Sequence, residues 1–115
     1  MLAVAYGVML VVMALIPSPP DLVGVAVSDW LVHGLAYGAQ AVLVFWAGLP
    51  SVGVRRSMAA GVLGAALLGL ATEALQWIQP ARTAEIRDLV ANLVGAVVAC
   101  GIAGSIARFV RRESR

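Results

Sequence analysis

Lysine is absent from this 115-residue chain, and histidine and cysteine occur once each. Charged residues make up 12% of it, about half of the quarter usual in a soluble domain. With Cys100 alone, no intrachain disulfide can form, and its place inside an apolar run reads as a small packing residue. Hydrophobic residues reach 62% and the mean hydropathy is +0.96, which excludes a mostly water-facing surface. The composition is that of a membrane protein, and the length allows one domain, residues 1–115. All eight basic residues are arginines set beside apolar spans. The net charge of +2 therefore marks membrane topology and not nucleic-acid binding.

A spanning helix needs about 20 mostly apolar residues, and the sequence offers four such segments. They cover about residues 1–16, 29–49, 57–78 and 84–107, and the first three stop at Pro17, Pro50 and Pro80. The first is short, but it lacks the basic leader and Ala-x-Ala site of a signal peptide, so it reads as a retained helix. The expected architecture is an all-α, four-span bundle. Six arginines (Arg55, Arg56, Arg108, Arg111, Arg112 and Arg115) fall on the side shared by the termini and the central loop, against Arg82 and Arg87 on the other. The positive-inside rule then places both termini in the cytoplasm. Small residues at every fourth position (Gly61, Ala65 and Gly69; Ala96, Cys100 and Gly104) predict close helix packing. Trp30, Trp46 and Trp77 suit membrane-interface anchors.

The polar residues are few, and their spacing is informative. Asp29, His33, Tyr37 and Gln40 share one helical face; so do Glu73 and Gln76, and so do Glu85, Asp88, Asn92 and Gly95. Each stripe lies near the outer end of its span. Glu73 sits roughly 7 Å inside that end at ~1.5 Å per residue, where a lipid-facing carboxylate would cost several kcal/mol. It is expected to face the bundle interior, with Arg82 as partner to it or to Asp88, while Arg87 points away toward headgroups. Asp29 and Glu85 also suit helix starts, as a cap or as charges complementing the helix dipole. The predicted pocket comprises Asp29, His33, Tyr37, Glu73, Gln76, Arg82, Asp88 and Asn92.

Asp29-Trp-Leu-Val-His33 followed by Tyr37 resembles the D-K-x-x-H-x-x-x-Y motif of the VanZ-like family. Glu73-Ala-Leu-Gln76, Pro80-Ala-Arg82, Asp88-Leu-Val-Ala-Asn92 and Gly95 are similar to its E-x-x-Q, R, D-x-x-x-N and G series. The resemblance covers about residues 29–101. Trp30 departs from it, standing where the family usually has lysine, so the basic group at the pocket rim is missing. The resemblance implies a multi-pass protein of the bacterial cytoplasmic membrane. The family's founding member is associated with low-level teicoplanin resistance.

Two functions follow as expectations. In the first, the pocket recognises the polar head of an envelope lipid, a lipid-linked wall precursor or an amphiphilic antibiotic such as a glycopeptide. In the second, the chain is an accessory or assembly subunit of a larger membrane complex. Catalysis is less favoured: His33 with Glu73 or Asp88 would make an acid–base pair, but no serine or cysteine nucleophile lies near them. One histidine with carboxylates also falls short of the usual zinc set, and no cofactor is expected.

Overall fold

The structure, a computed structural model, describes residues 1–16, 29–78 and 86–114. These residues are helical almost throughout: α1 is Leu2–Leu15, α2 is Asp29–Trp77 and α3 is Ile86–Glu113. Helices α2 and α3 are long and apolar enough to cross a membrane. The 14 residues of α1 reach about 21 Å at ~1.5 Å per residue, short of the ~30 Å hydrocarbon core of a bilayer.

The element count differs from the sequence expectation, because α2 unites the second and third predicted helices. Pro50 was the expected stop, yet helical pairing runs through it, and the break falls at Gly53 (φ 77°, ψ 173°). Proline removes one amide donor and weakens its turn. The reversal itself needs a positive-φ conformation that is in practice open only to glycine. The first residue able to adopt it lies three positions on.

Unbroken, the 49 residues of α2 would extend about 73 Å at ~1.5 Å per residue. The longest dimension of the molecule is 55 Å. The helix therefore folds back as two arms, 29–52 and 54–77, and cross-arm neighbours confirm an antiparallel hairpin. Gly48 faces Ser57, Val44 faces Gly64, Ala41 faces Gly61, and Tyr37 bonds Thr72. Helix α3 packs along this hairpin, and α1 packs on α2.

The interior is made of small residues and the exterior of large ones. Ala41, Ala65, Ala96 and Cys100 are fully buried, with Phe45 the largest side chain wholly inside among the described residues. Leu63, Leu67 and Leu70 of α2 are exposed, as are Val94, Val98, Ile102 and Ile106 of α3. Water would drive these aliphatics inward; lipid leaves them outside and holds helices together by close backbone contact. The small-residue ridges supply that contact. All six of Gly61, Ala65, Gly69, Ala96, Cys100 and Gly104 are buried. A Cβ at Gly61 would lie 2.5 Å from the Ala41 carbonyl and 2.7 Å from Cys100 Sγ. At Gly95 it would overlap the Gly34 carbonyl itself.

The two ends of the bundle differ in chemistry. Arg55 and Arg56 follow directly on the Gly53 reversal, and Arg108 of α3 reaches Met58 Sδ at 3.8 Å, so the basic end of α3 lies beside the reversal. Arg111 and Arg112 follow on the last turn, and all five arginines are exposed. Glu73, Gln76, Asp88 and Asn92 gather at the opposite end, while Glu113 stays with the arginines.

Candidate functional site

At that opposite end, both arms of α2 and the start of α3 converge on His33. The Gly34–Gly95 contact brings the N-terminal arm and α3 together backbone to backbone, one residue from His33 and three from Asn92. His33 Nδ1 lies 3.2 Å from Asn92 Oδ1, and Nε2 lies 3.6 Å from Asp88 Oδ2. With oxygen as its acceptor, Nδ1 carries the ring hydrogen. The Asp88 separation exceeds the usual hydrogen-bond limit of ~3.2 Å. Glu73 enters from the C-terminal arm with 8% of its surface exposed. One ligating atom each of His33, Glu73 and Asp88 lie within 4.8 Å of one another.

Tyr37 extends this cluster inward by one helical turn. Its ring is parallel to that of His33 (4°), with centroids 6.3 Å apart. The Thr72 hydroxyl donates to the Gly69 carbonyl at 2.9 Å, so Tyr37 is the donor in the short Tyr37–Thr72 hydrogen bond that ties the two arms. Gly69 makes room on the other side: a Cβ there would stand 2.9 Å from Asn92 Nδ2. Asn92 is 1% exposed, and its Nδ2 has no hydrogen-bond partner among the described residues.

A cavity of about 150 Å³ adjoins the cluster on the α1 side. His33, Tyr37, Thr72 and Gln76 form its polar wall, and Leu10, Met13, Ala14, Val32 and Ala36 its apolar wall. Gln76 is 6% exposed and makes no side-chain hydrogen bond among the described residues. Gln76 lines the cavity, so a polar group placed there meets its amide.

Of the eight residues read from the sequence as a pocket, the structure brings together His33, Tyr37, Glu73, Gln76, Asp88 and Asn92. Arg82 and the side chain of Asp29 lie outside the described residues, as does Glu85. Gln40 does not join its stripe: its Nε2 donates to the Ala3 carbonyl at 3.1 Å, fastening α1 to α2. Its Oε1 is buried without a partner among the described residues. Arg87 is exposed. Thr72 was missed, although it stands four residues before Gln76 and three after Gly69, on the same helical face.

No family model matches the chain, and neither the curated proteins nor the solved structures contain a match to it.

Proposed function

We propose that this chain is a VanZ-like protein of the bacterial cytoplasmic membrane whose polar pocket recognises the headgroup of an amphiphile: an envelope lipid, a lipid-linked wall precursor or an amphiphilic antibiotic. The observation that carries the reading is the two-sided cavity, with Gln76 and His33 on one wall and the aliphatic residues of α1 on the other. Its volume of about 150 Å³ is below the ~300–1,000 Å³ of sites that enclose a whole small molecule. Only a headgroup-sized portion enters, and a tail or a glycopeptide body stays outside, against the exposed aliphatics.

The proposed topology has four crossings, each arm of α2, α3, and the shorter α1 where the bilayer thins locally to meet it, with both termini cytoplasmic. Each arm of about 24 residues extends roughly 36 Å at ~1.5 Å per residue, enough to cross. The five exposed arginines at the reversal and at the end of α3 favour the cytoplasmic side. The pocket then opens on the outer side, where Trp30 and Trp77, both well exposed, sit at headgroup level.

Native mass spectrometry of protein extracted with its own lipids tests this. Wild type retains a lipid or lipid-linked precursor, and Glu73→Gln and His33→Ala lose it while remaining inserted. Equal retention by all three proteins refutes the proposal.

The accessory-subunit reading has one feature in its favour. A trough of about 500 Å³ runs between the N-terminal arm and α3, floored by Gly34, Gly38, Gly95 and Ala99 and walled by Trp30 and Ile102. Extraction in mild detergent as free monomer alone counts against that role.

A further inference from the structure

We propose that His33, Glu73 and Asp88 form a binding site for one divalent transition-metal ion of the zinc or manganese class, with Asn92 holding the imidazole in its ligating orientation. The site stands on its own geometry and does not require the cavity to take an amphiphile.

Three separate helical segments each deliver one donor to the same point. His33 comes from the first arm of α2, Glu73 from the second and Asp88 from α3, with their ligating atoms mutually within 4.8 Å. The His33 Nε2–Asp88 Oδ2 separation of 3.6 Å is informative. It is too long for an ordinary hydrogen bond. Two ligands held ~2.0–2.2 Å from one tetrahedral ion stand roughly 3.3–3.6 Å apart. That one pair has the spacing of a coordination edge; the donors as a set lie within 4.8 Å and must draw together by about 1 Å to share one ion.

The tautomer supports the same conclusion. Asn92 Oδ1 accepts the hydrogen on Nδ1, which leaves Nε2 as the ring nitrogen that faces the Asp88 carboxylate. A ligating imidazole characteristically donates its other ring hydrogen to an oxygen acceptor, which fixes the tautomer and raises ligand basicity. Asn92 meets that requirement from a position only 1% exposed.

A second, independent observation is the adjoining cavity. His33 forms part of its wall, and so does Gln76, a residue 6% exposed with no side-chain hydrogen bond among the described residues. Three protein donors leave a tetrahedral ion one open position. A water or an oxyanion filling it has space beside His33 and a polar group to meet. The donor set, one imidazole and two carboxylates, has fewer nitrogen or sulfur ligands than the usual zinc site, and its oxygen-rich character brings manganese in beside zinc.

The test uses the full-length, untagged chain in detergent, stripped with EDTA and titrated separately with ZnCl₂ and MnCl₂. Native mass spectrometry reads stoichiometry, and thermal unfolding reads the stabilisation that binding produces. One ion per chain is expected with one of the two metals, accompanied by a raised Tm. His33→Ala and Asp88→Asn each abolish the Tm rise, and Asn92→Ala weakens binding about 10- to 100-fold. Asp88→Asn preserves shape, so its metal-free Tm shows that the loss is one of ligation and not of folding. Failure of wild type to take up either metal overturns the site, as does undiminished binding by Asp88→Asn.

Discussion

His33 and Asn92, 59 residues apart in sequence, share a hydrogen bond at 3.2 Å that joins the first arm of α2 to α3. Hydrogen bonds between helices in lipid average about 0.6 kcal/mol, with a maximum near 1.7. A double-mutant cycle with His33→Ala and Asn92→Ala is expected to give a coupling energy within that range. Unfolding in detergent or bicelles measures it. Strict additivity would mean that the two side chains are neighbours without an energetic link.

Tyr37 and Thr72 predict an asymmetry. In Tyr37→Phe the Thr72 hydroxyl keeps its bond to the Gly69 carbonyl, so the cost is about 0.5–1.5 kcal/mol. In Thr72→Val the tyrosine hydroxyl loses its acceptor in a position only 5% exposed, and the cost rises to about 1–3 kcal/mol. The measurement is the order of the two midpoints in one unfolding assay. Equal midpoints would show that water in the cavity serves Tyr37 as well as Thr72 does.

Two glycines of α3 predict opposite outcomes for the same substitution. Gly95→Ala drives a methyl into the Gly34 backbone, and overpacking of this kind costs about 1–3 kcal/mol. Gly101 has nothing within 4 Å of its would-be Cβ, so Gly101→Ala is expected to gain about 0.5–1 kcal/mol from helix propensity. Thermal unfolding of both variants decides. A neutral Gly95→Ala would mean that α3 can stand further from α2.

Orientation is open to chemical labelling. Cys100 is fully buried, so wild type is expected to resist a membrane-impermeant maleimide until denatured. In a Cys100→Ala background, Ile86→Cys reacts in intact spheroplasts, whereas Arg56→Cys and Arg108→Cys react only after lysis. The reverse pattern would invert the proposed topology.

The helical class was legible in the sequence because lipid imposes long apolar runs, and the clustering of polar side chains was legible because helical phase fixes which positions share a face. His33, Glu73, Asp88 and Asn92 lie on those faces and meet. Phase does not set the rotation of one helix against another, so it placed Gln40 with His33 when the structure turns it to Ala3. It also passed over Thr72, whose hydroxyl becomes informative only once Tyr37 stands across from it. The proline rule misplaced the turn of α2, since an amide missing from one helical turn is tolerated and a reversal of direction is not. Backbone conformation at Gly53 decided the matter. The reading of Arg82 as counter-charge lies outside the described residues.

The reversal at Gly53 has a consequence for biosynthesis. Both arms of α2 leave the ribosome consecutively, and the Gly48–Ser57 and Ala41–Gly61 contacts close short loops of low entropic cost. The hairpin can therefore form as a unit and present His33 and Glu73 side by side before α3 is complete. Asp88 and Asn92 arrive later, with α3, which finishes the cluster. Premature termination before residue 86 would yield a hairpin with half the site, which couples the integrity of the polar cluster to translation of the full chain.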